Sequence, residues 1–184
     1  MMLDQATTPA RPLKTLLLMR HAKSSWRDEM LDDIERPLNG RGRRAASAMA
    51  PLVAAWQPQW IGCSIAQRTR ETLAPIVQEL TTPCEMTLSA NLYDSNEAAY
   101  LRQIRSIPGS VNRALIIGHN PTLEDLLQAL VGAAEPDALA RLSEKLPTGT
   151  LITLECPIAR WSELTSGCAH LVDVIRPADI SANA

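Results

Sequence analysis

Apolar residues in this chain gather in two kinds of stretch that alternate along its length. In the first kind they run together, as in Leu16 to Met19 and Leu115 to Ile117. A short unbroken run stopped by polar residues suits a strand buried on both faces of a sheet. In the second kind they recur every three or four positions, which gives a helix one buried face. Strand and helix in alternation predict an α/β domain. Its form is a three-layer sandwich with a largely parallel central sheet flanked by helices.

Residues 1–12 are polar, carry two prolines and read as a flexible tail, leaving 13–184 as a single domain. The first strand is expected from Lys14 to Met19. Ser24 to Leu38 is rich in acids without period, a loop long enough to suggest function. A helix follows from Arg41, capped by Asn39, with Ala45, Met49, Leu52, Val53 and Trp56 on one face. Trp60 to Ser64 reads as a strand, and residues 67–80 as a helix. Pro51 and Pro75 argue against a straight course for the two helices that hold them. A weak strand near Glu85 to Leu88 precedes a helix capped by Ser95 or Asn96 and stopped at Pro108-Gly109. Arg113 to Ile117 is a further strand. Asn120 as cap and Pro121 at the first helical position announce the next helix, which Gly132 ends. A short helix from Pro136 to Lys145 and strands over Thr150 to Cys156 and Ala169 to Ile175 complete the chain.

The totals exclude several functions. A formal net charge of -2 gives no global attraction to nucleic acid or to anionic membranes. With no Phe, two Tyr and four Trp, stacking platforms for single strands are not expected. No run reaches the roughly 20 apolar residues of a membrane span. Four cysteines without C-x-x-C spacing read as structural thiols in a reducing compartment. No secretory pattern opens the chain, so a cytoplasmic location is expected.

Chemistry gathers at the ends of the strands. The first run stops at Arg20-His21, the second strand leads into SIAQRTRET with Arg68, and RALII ends in GHNP with His119. In a parallel sheet the carboxyl ends share one edge, so two His and two Arg converge on one crevice. A histidine is a nucleophile near neutral pH, and arginine is a permanent forked donor for phosphate oxygens. The grouping points to phosphate chemistry.

RHA, DDIERPLNGRGRRAA, SIAQRTRET, LYDS and LIIGHNPTLEDLL, in this order, resemble the histidine phosphatase superfamily, with its phosphoglycerate mutase-like fold. The SixA-like branch of phosphohistidine phosphatases is most similar, and LPTGTLITLE followed by Trp161 resembles it too. The similarity runs from about Lys14 to Ile180. It implies that His21 is the catalytic nucleophile and that Arg20, Arg68 and His119 hold the transferring phosphoryl group. Asn120 and the amides of its helix turn would add dipoles for the anion. No metal or cofactor is implied, since Arg20, Arg68 and His119 do the charge neutralisation of a magnesium ion. The partner would be a phosphorylated protein carrying phosphohistidine, or a small phosphorylated substrate.

The more common RHG of the superfamily is RHA here, at Ala22. Many members also carry an acid that protonates an alcohol leaving group, and Asp94 in LYDS is the nearest candidate. Imidazole, with a pKa around 6.5, leaves readily without such help, whereas an alkoxide does not. Phosphohistidine is therefore the favoured substrate, a small-metabolite phosphatase or mutase the alternative, and a non-catalytic phosphate reader the third reading.

Other features carry less. GRGRRA follows a charged loop rather than a strand and so fails as a dinucleotide fingerprint. Cys63 sits within a strand, His170 reads as structural, and Arg41, Arg43 and Arg44 as a solvated face. His21 and His119 as metal ligands would have two arginines repelling the cation. Arg36 either pairs with acids of its own loop, the favoured reading, or lines the crevice, and Lys23 is close enough to the catalytic pair for substrate contact.

Overall fold

In the computed structural model, residues 12–143 and 146–181 are described, and they carry one seven-stranded sheet. The expected tail lies outside the described residues apart from Pro12, as do residues 144 and 145 at the end of the helix expected from Pro136.

The strands are β1 Lys14–Arg20, β2 Trp60–Ser64, β3 Glu85–Ser89, β4 Arg113–Gly118, β5 Val131–Ala134, β6 Leu151–Cys156 and β7 Ala169–Ile175, in the spatial order β3-β2-β4-β1-β6-β7-β5. All neighbours are parallel except that β6 runs against both β1 and β7. The largely parallel sheet is thus as expected. β5 is not: the stretch around Gly132 was expected to end a helix, and instead it pairs with β7 at the sheet edge.

The helices are α1 Gly40–Ala55, α2 Gln67–Glu79, α3 Glu97–Arg105, α4 Thr122–Leu130, α5 Pro136–Ser143 and α6 Pro177–Ser181, the last without a sequence signal in the expected pattern. α1 and α2 are continuous through Pro51 and Pro75.

β1 shows why three layers form. Leu16 and Leu18 face a core shared with Tyr100, Ile104, Leu123 and Leu127 of α3 and α4. Leu17 and Met19 face the other way, onto Met49, Val53, Leu73 and Ile76 of α1 and α2. Alternate residues of a strand point to opposite faces, so a four-residue apolar run needs cover on both. All four are fully buried, each contributing roughly 2 kcal/mol relative to exposure.

At the far end of β1, buried Lys14 donates to Gly109 O at 2.8 Å and Val111 O at 2.7 Å, and Trp161 Nε1 donates to the same Val111 O at 2.8 Å. At the near end, β1, β2 and β4 stop level with one another: Arg20 pairs with Gly118, and Cys63 with Ile117. That edge carries the chemistry.

Candidate active site

The backbone after β1 is held from three sides. His21 N donates to Gly118 O at 3.1 Å, Ala22 N to Thr72 Oγ1 of α2 at 3.0 Å, and Gly149 N to His21 O at 3.0 Å. His21 is only 8% exposed. Its Nδ1 lies 2.7 Å from Ala22 O. A carbonyl can only accept, so Nδ1 carries the hydrogen and Nε2 keeps its lone pair. Burial, with Arg68 and Arg20 nearby, pushes the imidazole down to about 4. At neutral pH His21 is uncharged, with a free nitrogen lone pair.

His119 follows β4 and is 7% exposed, its ring centroid 5.1 Å from that of His21. Burial first, then His21 and Arg68, lower its pKa to about 3. His119 Nε2 is 2.8 Å from Ser64 Oγ, which also accepts a long bond from Ala66 N at 3.4 Å. Among the described residues Nε2 is the one acceptor within reach of the Ser64 hydroxyl hydrogen, so the hydroxyl donates to Nε2 and the ring proton of His119 sits on Nδ1. That atom is buried without a partner among the described residues, as is Arg20 Nε. Two unpaired donors in one crevice suit an anion. Tyr100, buried under the site, accepts from His119 N at 3.2 Å and donates to Leu92 O at 2.8 Å. A Cβ at Gly118 would strike this phenol, so the close approach needs glycine.

Arg68 opens α2 and points into the crevice. Arg20 Nη1 is anchored on Leu146 O at 2.5 Å. Arg20, His21, Lys23 and Arg68 line one hollow of about 260 Å³, and Arg68, His119, Asn120 and Asp94 a second of about 440 Å³. Arg68 and Asp33 belong to both. All four expected central residues thus meet at one place, with Lys23 exposed at the rim.

Asn120 lines the second hollow, but it does not cap α4; Pro121 stands at that position. Its side-chain amide instead donates to Glu124 Oε1 at 2.6 Å. Arg36 does pair with its own loop, at 2.9 Å from Asp33 Oδ1, and also lines the first hollow. His170 pairs with Glu135 at 3.3 Å, away from the crevice. Burial raises the Cys63 thiol to about 12, which leaves it an inert strand residue.

Asp33 is the residue that sequence reasoning missed. Its carboxylate receives Arg68 Nη2 at 2.8 Å and Tyr93 OH at 2.9 Å. Burial alone would raise its pKa, but the bonds from Tyr93, Arg68 and Arg36 outweigh it and the net shift is downward. The signal was present as Asp33-x-x-Arg36, an ion-pair spacing on a helical turn. Ser64 was missed as well, because its role depends on a neighbour from another strand.

Residues 16–96 match the family model of the histidine phosphatase superfamily (branch 1). Over 158 residues the chain is 33% identical to the uncharacterized protein Rv1276c of Mycobacterium tuberculosis, covering 84% of this chain and 96% of that one. Among solved structures, it is similar to the provisionally designated phosphohistidine phosphatase SixA of Nakamurella multipartitia. The TM-score there is 0.75 at 26% identity, over 90% of this chain and 96% of the other. A second such SixA, from Agrobacterium tumefaciens, gives a TM-score of 0.74 at 28% identity, over 89% and 98%.

Proposed function

The chain belongs to the histidine phosphatase superfamily, and from that premise we propose a metal-independent phosphatase that works through a phosphohistidine on His21 and acts on phosphohistidine-containing proteins. The observation that carries the reading is the Nδ1–H of His21 bound to Ala22 O at 2.7 Å, which leaves Nε2 as a neutral nucleophile between two arginines.

In the first step the Nε2 lone pair attacks phosphorus. The bond from phosphorus to the substrate nitrogen breaks, and the departing imidazole takes its proton from solvent. In the second step a water oxygen attacks, the Nε2–phosphorus bond breaks, and phosphate leaves with the water's proton passed to solvent. Arg20, Arg68 and His119 Nδ1–H face the three equatorial oxygens, where phosphoryl transfer gathers charge. Two guanidinium groups supply this stabilisation without a metal ion.

The preference for a phosphoramidate rests on the leaving group. The Asp33 carboxyl is held below its ordinary pKa, so it stays ionised and is a poor proton donor at neutral pH. A second reading, a phosphatase of small metabolites, rests on Asp94, which lines the hollow beside His119. Comparing kcat/KM for phosphohistidine, p-nitrophenyl phosphate and 3-phosphoglycerate, with and without EDTA, tests both. The expected order is phosphohistidine first and 3-phosphoglycerate last, with EDTA without effect. Fastest turnover of 3-phosphoglycerate, or loss of activity in EDTA that a divalent ion restores, would sink the proposal.

A further inference from the structure

Next to the catalytic hollow lies a groove of about 590 Å³ lined by Lys23, Arg27, Arg41 and Arg44, with Trp26 at its side and no carboxylate among the described residues of its lining. Lys23, Ser24 and Trp26 line both cavities, so the groove runs on from the space that holds His21. We infer that this groove binds acidic side chains of the substrate protein that flank its phosphohistidine. The inference rests on the proposed phosphohistidine reading and adds to it the feature by which a substrate is selected.

Three observations carry it. First, the cations are unspent: Arg27, Arg41 and Arg44 are exposed, and their side chains make no ion pair or hydrogen bond among the described residues. Arg43, one position from Arg44, shows the contrast, with its guanidinium tied to Leu38 O at 2.6 Å. Four like charges around one concave space repel one another and focus the potential there, against a chain whose net charge is -2.

Second, the wall is fixed. The Arg36 guanidinium lies 3.0 Å from the Trp26 ring centroid, and Arg36 is itself held by Asp33, Ser24 Oγ and Ser25 O. Trp26 is nonetheless 77% exposed, a stiff aromatic surface standing between groove and crevice.

Third, the form of the site favours a protein over a nucleic acid. One face of Trp26 is covered by Arg36, and Trp26 is the sole aromatic residue in the groove lining, which leaves little for successive bases to stack on. Carboxylates on a segment entering over Trp26 would meet arginines in forked geometry while the phosphoryl group reached His21.

The test uses two synthetic peptides that each contain one phosphohistidine, flanked by Asp and Glu in the first and by Asn and Gln in the second. Wild type is expected to show kcat/KM about tenfold higher for the acidic peptide at low salt, a ratio that shrinks as screening grows. Arg27→Gln, Arg41→Gln and Arg44→Gln together are expected to bring the ratio near one, with melting curves reporting that the variant is folded. Affinities of both peptides for His21→Ala, by titration calorimetry, test the groove separately from turnover. A binding preference without turnover of either peptide would uphold the groove and sink the phosphohistidine reading. Equal affinity for the two peptides, a preference that survives in the triple variant, or tighter binding of a 5′-phosphorylated oligonucleotide would overturn the inference.

Discussion

Asp33 holds Arg68 twice: the Asp33 main-chain oxygen accepts Nη1 at 2.6 Å and its carboxylate accepts Nη2 at 2.8 Å. Of the five N–H donors of a guanidinium, two are spent on this hold and three remain for a phosphoryl group. The acid comes from a surface loop with no periodic pattern, yet it fixes the orientation of a residue at the centre of the crevice.

Removing that carboxylate should loosen Arg68 without unfolding the protein, because the main-chain bond persists. A charge-assisted hydrogen bond is worth about 1.5–3 kcal/mol, so Asp33→Ala is expected to lower kcat/KM on aryl phosphates by roughly 10- to 100-fold. Asp33→Asn retains an acceptor oxygen and should recover part of the loss. Wild-type kcat/KM in Asp33→Ala would show that Arg68 needs no such support.

The two histidines make stability depend on pH. In the folded protein His21 and His119 have pKa values of about 4 and 3, against an ordinary value of 6.5. Between those limits the unfolded chain binds more protons, so this part of the stability is complete above about pH 6.5 and is lost as the pH falls toward 4. For His21 the loss is on the order of 3 kcal/mol. In thermal melts at pH 7, 5.5 and 4.5, wild type should therefore lose stability relative to His21→Ala as the pH drops. Parallel curves would contradict the lowered pKa of His21.

Ser64 is expected to matter through the proton it assigns to His119. Ser64→Ala leaves Nε2 without its donor, so the ring no longer has a fixed tautomer facing the phosphoryl group. A fall in kcat/KM of about tenfold is expected, together with a change in the ¹⁵N shifts of the His119 ring. Unchanged shifts and an unchanged rate would show that the tautomer is set elsewhere.

Gly42 seats the start of α1 on the segment just after His21. Asn39 caps that helix through Gly42 N at 2.8 Å, and a Cβ at Gly42 would fall on the Lys23 carbonyl. Gly42→Ala must push helix and strand end apart, at an expected cost of about 1–3 kcal/mol. Urea denaturation measures the loss. Wild-type stability in the variant would show that the contact relaxes freely.

The parts of the fold legible in the sequence are those where a local pattern and a tertiary role agree. Leu16 to Met19 had to be a doubly buried strand, and the switch to Arg20-His21 marked its end at the sheet edge. His119 was equally clear, since RALII stops at Gly118. Gly132 misled because a glycine after a helix looks like its terminator, whereas a Cβ there would meet the Gly167 carbonyl across the sheet edge. The tetrapeptide β5 has no alternation long enough to announce a strand. Asp33 stayed hidden among Asp28, Asp32 and Glu35, because only the folded loop decides which acid meets Arg68. Tyr100 gave no sign either, as its hydroxyl partners come from Leu92 and His119.

The central claim is that His21 Nε2 carries the phosphoryl group during turnover. Rapid quenching of wild type with a ³²P-labelled aryl phosphate, followed by digestion and peptide mapping, tests it directly. The account predicts label on the peptide containing His21, lost in acid and stable in base, and no label on a folded His21→Ala protein. Acid-stable label, or label that persists in His21→Ala, would contradict it.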